Sequence, residues 1–378
     1  MPLLRPAAVP RSTSADAFNI GPEGYARAMP AEQSPFNAEV TATDDAPVRV
    51  ELEFENTLRP QSFAEFVGQE RTLDNLAVAL RAARERNEPP DHVLLSGPPG
   101  LGKTSLARIL AKELGATLHA STGPALERAR DLVGILTQLK RGDVLFIDEI
   151  HRVPAAVEEF LYTAMEDFTV DLTLDQGPNA RVLPLKLAPF TLIGATTREG
   201  LLSAPFRGRF GHLERLAPYP VEDLTRILER SASILAVELE PLAAAAIAAR
   251  SRGTPRIANR FLRRVRDLAQ VRGTARIDIE VAVAALTRLG VDVHGLEDLD
   301  RRILAVLAKQ PDRPLGLKTI AAEVGEAEDT IEEVFEPHLL RCGFLQRTGR
   351  GRSITDDGLR AIGAPAREAG SAPLDLFS

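Results

Sequence analysis

Residues 97–104 read Gly-Pro-Pro-Gly-Leu-Gly-Lys-Thr, a glycine-rich turn that ends in a cation and a hydroxyl. They follow the apolar run His92–Ser96 and open the periodic segment Thr104–Leu114. Strand, loop and helix in that order are the setting of a phosphate-binding P-loop. Gly97, Gly100 and Gly102 let the backbone pass close to phosphates with its amides turned inward. The helix starting near Lys103 adds its positive dipole end at the same spot. Lys103 would reach the β/γ-phosphates, and the Thr104 hydroxyl would ligate Mg²⁺. The expected ligand is a nucleoside triphosphate.

Forty residues beyond Lys103 comes Asp143-Val-Leu-Phe-Ile-Asp148-Glu149, an apolar strand with two carboxylates at its end. Asp148 would hold Mg²⁺ through the ion's water shell, and Glu149 would polarise the attacking water. Together with the P-loop, the pair points to hydrolysis. His151 reads as a packing or coupling residue. A further apolar run, Phe190–Thr197, ends in Gly-Ala-Thr-Thr. A hydroxyl there can bond the γ-phosphate or the water, or simply terminate a strand. Alternation favours Thr197 over Thr196, which turns to the other face.

The elements that must position these groups follow from the same runs. Beside the P-loop strand stand Thr117–Ser121, Val144–Asp148, Phe190–Thr197 and His212–Tyr219, with helical patterns between them. Short buried strands alternating with helices predict a parallel sheet with crossover helices, its ligands at the carboxyl ends of the strands. Residues 170–187 break the alternation: period-2 leucines flank a Gly177-Pro178-Asn179 turn, which predicts an inserted β-hairpin. It either packs on its own domain or projects to dock a partner protein. The chain therefore divides into a disordered arm (1–54), an ATPase domain (55–220), a small helical domain (221–294), a winged helix (295–363) and a flexible tail (364–378). In the winged helix, a Gly349-Arg350-Gly351-Arg352 turn joins two short strands.

Composition sets the outer limits. Hydrophobic content of 44% and charged content of 26% are those of a globular protein, and 378 residues suffice for two or three domains. No apolar run approaches the roughly 18 residues of a membrane span, and residues 1–30 carry no secretory pattern. The single cysteine, Cys342, excludes an intrachain disulfide framework and fits a reducing cytoplasm. The net charge of −7 hides local basic clusters: eight arginines against one acid over 250–272, and four against none over 341–352. Such patches on an acidic chain suit a motor that touches DNA at chosen places. Arg263, Arg264 and Arg266 read as a solvated helix face or as subunit bridges. Arg347, Arg350 and Arg352, with no acid beside them in the sequence, favour contact with DNA phosphates.

Leu58-Arg59-Pro60, Phe66-Val67-Gly68-Gln69, residues 97–104, 145–152 and 191–198, Arg207-Gly208-Arg209-Phe210 and Gly253-Thr254-Pro255-Arg256 together resemble an AAA+ ATPase. The segments 164–168, 253–259, 263–267 and 343–347 resemble, within AAA+ proteins, the RuvB family of Holliday junction motors. The resemblance covers about residues 55–362, with the parts in the same order. It implies a P-loop AAA+ parallel sheet with helices on both faces, a helical lid and a C-terminal winged helix. It further implies ATP and Mg²⁺ as ligands, a hexameric ring, duplex DNA as track, and work in recombination, repair and the SOS response. RuvA would be gripped by the hairpin, and RuvC would join the wider complex. Arg209 would be the arginine finger inserted into the neighbouring subunit's site, and Arg256 the sensor-2 arginine. Leu58, Arg59, Ser105 and Tyr219 would border the nucleotide; read alone, Tyr219 is a core aromatic. Glu166, Asp167 and Phe168 would approach the nucleotide from the next subunit. Gly208 departs from the family's usual Asp, which would loosen the finger, and the N-terminal arm is longer than usual.

Three other functions compete. A protein unfoldase would carry an aromatic grip on the loop after the second strand, yet residues 121–142 contain no Phe, Tyr or Trp. A sequence-reading regulator would need base-reading side chains along 328–340, where Glu, Asp and apolar residues stand instead. A clamp loader would not need the winged helix.

Overall fold

The computed structural model describes residues 56–173 and 182–365. The arm assigned to 1–54, the Gly177-Pro178-Asn179 turn and all but the first two residues of the tail lie outside them. The P-loop strand β1 (Val93–Ser96) is buried along its whole length, as are the first four residues of β3 (Val144–Asp148) and all of β6 (Thr191–Thr196). Continuous apolar runs of this kind need cover on both faces, which parallel strands with crossover helices supply. With β2 (Leu118–Thr122) and β7 (His212–Arg215) they form one parallel sheet of order β2-β3-β6-β1-β7. The register aligns Ser96 with Thr196 and Thr122 with Asp148. The P-loop, the acidic pair and the Thr196-Thr197 tip therefore leave the sheet at one edge. The strand expected to run to Tyr219 stops at Arg215, although Leu216 still donates to Ser96 O.

Alternate side chains of the sheet feed two cores. Val93, Leu95, Phe146 and Ile193 pack with helices α1 (Glu70–Arg86) and α2 (Lys103–Leu114). Leu94, Leu145, Ile147 and Leu192 pack with α3 (Ala129–Leu136) and α4 (Ala155–Glu166). The inserted hairpin is β4 (Thr169–Thr173) paired antiparallel with β5 (Val182–Lys186). A short helix, α5 (Ala204–Arg207), precedes β7.

The helical lid comprises α6 (Val221–Ile234), α7 (Pro241–Arg250), α8 (Pro255–Val271) and α9 (Ile279–Arg288), with a two-residue pair β8 (Glu238–Leu239) and β9 (Arg276–Ile277). It has no separate core: Leu224, Leu228, Phe261 and Val265 join the first core of the sheet. On α8 the buried Ala258, Phe261, Leu262, Val265 and Ala269 recur at helical spacing, which leaves its arginines on the other face. There Arg264 and Arg266 both pair with Asp267.

The winged helix packs a third core from α10 (Asp298–Ala308), α11 (Leu317–Val324) and the strands β10 (Leu345–Thr348) and β11 (Gly351–Ile354). Residues 328–341 form three pieces: α12 (Glu328–Thr330), a π-helical turn Ile331–Phe335, and α13 (Glu336–Arg341). Pro337 lacks the N–H that an unbroken α-ladder needs, so the turn before it widens. The wing is also tighter than expected. Only Gly349 and Arg350 separate the strands, and Arg352 lies on β11 opposite Arg347. The chain closes on α14 (Asp356–Ala361).

Candidate nucleotide site and nucleic-acid interface

A cavity of about 390 Å³ opens at the carboxyl edge of the sheet, between the P-loop and the lid. Gly100, Gly102, Lys103, Thr104, Ser105, Asp148 and Glu149 line one side. Leu58, Arg59, Tyr219 and Arg256 close the other. The glycines are obligatory here. Gly97, Gly100 and Gly102 have φ of 136°, 79° and 104°, and a Cβ on Gly97 would sit 2.5 Å from Leu216 O.

Lys103 is 7% exposed, and its Nζ donates to Gly97 O at 2.7 Å and Pro98 O at 3.0 Å. Burial pulls its pKa down, while the carboxylates of Asp148 and Glu149 push it back up. Thr104 Oγ1 donates to Asp148 Oδ2 at 3.2 Å, the hydroxyl–carboxylate couple from which a divalent cation can be held. Glu149 stands in the left-handed region at φ 50°, an uncommon conformation for a residue with a side chain. Its Oε2 accepts from Thr197 Oγ1 at 3.3 Å and lies 3.3 Å from His151 Nδ1. Thr196, fully buried, turns to His151 Nδ1 at 3.0 Å. Burial lowers the His151 pKa, against the pull of Glu149. His151 thus couples the acidic strand to the Thr196-Thr197 tip.

Tyr219 and Arg256 carry the lid to the pocket. The Tyr219 hydroxyl donates to Leu101 O at 3.3 Å, and its backbone N–H donates to Gly253 O at 2.9 Å. A Cβ on Gly100 would meet Thr254 Cγ2 at 2.8 Å and Arg256 Cβ at 3.0 Å, so the P-loop rests on the start of α8. Sequence reasoning missed what lies behind this loop. Arg252, 6% exposed, sends Nη2 to Asp300 Oδ2 of the winged helix at 2.6 Å, and Arg341 Nη2 returns to Arg252 O at 2.6 Å.

The residues assigned to the neighbour's site sit elsewhere. Glu166 and Arg209 line a separate cleft with Met165, Pro205 and Gly208. Asp167 is exposed beside them. The Phe168 ring turns into its own domain, 5.9 Å from Phe190 and 6.5 Å from His92 between centroids.

The wing corrects a sequence argument. No acid lies near its arginines along the chain, but two come from the preceding helix. Arg347 donates to Glu336 at 2.6 Å and to Glu332 at 2.7 Å, and Arg352 donates to both oxygens of Glu336 at 3.1 and 3.0 Å. Glu336 is 2% exposed; burial pushes its pKa up, and the two guanidiniums more than offset that, holding it below its ordinary value. The spacing of Glu332 and Glu336, one helical turn apart, is the signal that would have found them. Arg350, at the tip, is exposed and makes no ion pair among the described residues. Arg198, next to Thr197, also reaches this helix, at 2.9 Å from Asp329 and 2.5 Å from Glu333.

Residues 58–216 match the family model for the P-loop domain of the Holliday junction DNA helicase RuvB, 219–292 the RuvB AAA lid, and 293–363 the RuvB C-terminal winged helix. The chain belongs to the RuvB family. Among its relatives, the RuvB subunit of the Holliday junction branch migration complex of Myxococcus xanthus is 58% identical over 306 residues, 81% of this chain and 89% of the relative. That of Chlorobium luteolum is 55% identical over 311 residues, 82% and 90% respectively. A solved structure of the Thermotoga maritima RuvB branch migration motor matches with a TM-score of 0.76 and 47% identity, over 82% of this chain and all of that one. The cavity is therefore that of a RuvB-family P-loop ATPase, and the AAA lid and winged helix are the family's own.

Proposed function

We propose that this chain hydrolyses ATP to move duplex DNA and so drives branch migration of Holliday junctions in recombination and repair. The observation that carries the reading is the meeting of Lys103, the Thr104–Asp148 couple and the Thr197–Glu149 couple at one sheet edge, under a lid joined to a winged helix. Glu149 takes the proton of the attacking water as its oxygen adds in line to the γ-phosphorus. The bond to the β,γ-bridging oxygen breaks, ADP leaves, and Lys103 offsets the charge on the phosphates. Thr197 and His151 fix Oε2 of Glu149, so the carboxylate meets the water in one orientation. Among the described residues no cluster of three His, Cys, Asp or Glu could hold a metal by itself. Mg²⁺ would be held by Thr104 and Asp148 with phosphate and water oxygens, and would neutralise phosphate charge.

Arg209 would complete the neighbour's site in a ring, taken to be a hexamer, with Glu166 and Asp167 at the same junction. Arg256 and Tyr219 would pass the nucleotide state through the Arg252–Asp300 joint to the winged helix, where Arg350 would contact DNA phosphates from a wing that Arg347 and Arg352 hold together through Glu336. The hairpin at 170–187 would dock RuvA, with RuvC in the wider complex, in the cytoplasm and as part of the SOS response. Mixing subunits tests the shared site. Rings of Lys103→Ala alone or Arg209→Ala alone should lose turnover by about 10³-fold or more, and a mixture should regain part of it. Wild-type turnover by Arg209→Ala alone would remove Arg209 from the reaction.

A further inference from the structure

The finger candidate is held by contacts that neither its motif nor its neighbour Gly208 supplies. Gly208 is helical at φ −64°, and a Cβ there would meet nothing closer than 3.5 Å, so it neither clamps Arg209 nor requires glycine. The guanidinium carbon of Arg209 instead lies 4.5 Å from the centroid of the Tyr162 ring on α4. Its Nη1 donates to Pro205 O at 2.9 Å and its Nη2 to Glu166 Oε2 at 3.0 Å. Its Nε is buried with no hydrogen-bond partner among the described residues.

The ring is itself fixed at both ends. Its body packs on Phe206 with centroids 5.6 Å apart. Its hydroxyl meets Ser203 Oγ at 2.9 Å and also bonds Glu158. Ser203 Oγ donates to Glu158 at 2.6 Å and caps α5 by accepting from Phe206 N at 3.3 Å. Tyr162 is thus braced by the short helix that presents Arg209.

We propose that Tyr162 is a positioning residue for hydrolysis in the adjacent subunit: its ring is the platform on which the Arg209 guanidinium lies. A cation over a ring face spends none of its N–H donors. The Nη groups can therefore leave Pro205 O and Glu166 for a neighbour's phosphate while the ring still sets the plane of the fork. Pro205 O holds Nη1 and Glu166 holds Nη2 until that exchange. The proposal rests on Arg209 acting in trans, and the experiment separates the two claims.

The full-length chain is assayed for kcat and KM of Mg-ATP hydrolysis and for ring assembly by sedimentation. Tyr162→Leu should lower kcat about tenfold, with KM and assembly within twofold of wild type. Tyr162→Phe, which keeps the ring and loses the hydroxyl, should stay near wild type. Tyr162→pentafluorophenylalanine keeps the ring's size but removes the negative potential of its face, so it should behave as Tyr162→Leu does, and it answers the question if the leucine variant does not fold. Wild-type kcat for both ring-disabled variants beside an inactive Arg209→Ala would overturn the platform and leave the finger standing. An active Arg209→Ala would instead sink the finger reading itself. Equal losses in Tyr162→Leu and Tyr162→Phe would assign the effect to the Ser203–Glu158 bracket and refute the ring's role.

Discussion

The nucleotide pocket and the wing are both organised around cations, and they treat those cations in opposite ways. In the pocket, Lys103 is bonded to two neutral carbonyl oxygens, and the carboxylates nearby are bonded to hydroxyls and a backbone N–H. In the wing, Arg347 and Arg352 neutralise Glu336, a carboxylate almost fully withdrawn from water. A cation held by carbonyls can exchange them for phosphate and leave nothing charged behind. A cation that pairs a buried carboxylate cannot leave without stranding that charge. The pocket is poised for an anion, whereas most of the wing's charge is already committed to holding its own fold. Arg350 at the tip is the exception.

Glu149→Gln should lower ATP turnover by about 10²–10⁴-fold while nucleotide still binds, because the water loses its proton acceptor. Near-normal turnover would mean that the Thr197–His151 bracket orients something other than the base.

At the joint behind the wing, His338 is 6% exposed beside Arg252 and Arg341, and burial with those charges lowers its pKa to about 4. The unfolded chain binds this proton near pH 6.5 and the folded one only near 4, so stability is lost as pH falls through that window. The loss approaches about 3 kcal/mol once pH is below both values. Denaturation at pH 7 and 4.5, with His338→Gln as control, measures it; equal slopes in the two proteins would count against it.

Arg352→Ala should cost about 1–3 kcal/mol of winged-helix stability by leaving Glu336 half-paired, an effect read in a urea melt. Arg350→Ala should leave the melt unchanged and reduce the salt slope of DNA binding by about one. If Arg350→Ala destabilised the domain and Arg352→Ala only weakened DNA binding, the contrast between pocket and wing would be reversed.

The pocket was legible in the sequence because its groups sit in short motifs at the ends of strands, and strand register does the rest. Asp148-Glu149 and Thr197 lie within a residue of a strand end, and the run Gly97 to Thr104 starts directly after Ser96 and ends on the next helix. The wing was less legible because its partners come from a different element: Glu336 is 11 residues from Arg347 and 16 from Arg352. A census of charge along the chain cannot see that approach. The Arg252–Asp300 and Arg198–Glu333 links are longer-range still, and Tyr162 sits 47 positions before the arginine it supports. The π-helical turn has a local cause that the sequence does carry: Pro337 lacks the N–H that an unbroken α-ladder needs.

The most direct measurement is ATP-dependent dissociation of a synthetic four-way DNA junction by the wild-type chain, with and without added RuvA and with Lys103→Ala alongside. The expected result is junction dissociation that needs ATP hydrolysis and is absent in Lys103→Ala. Robust ATP hydrolysis with no movement of the junction would contradict the claim that this pocket drives branch migration.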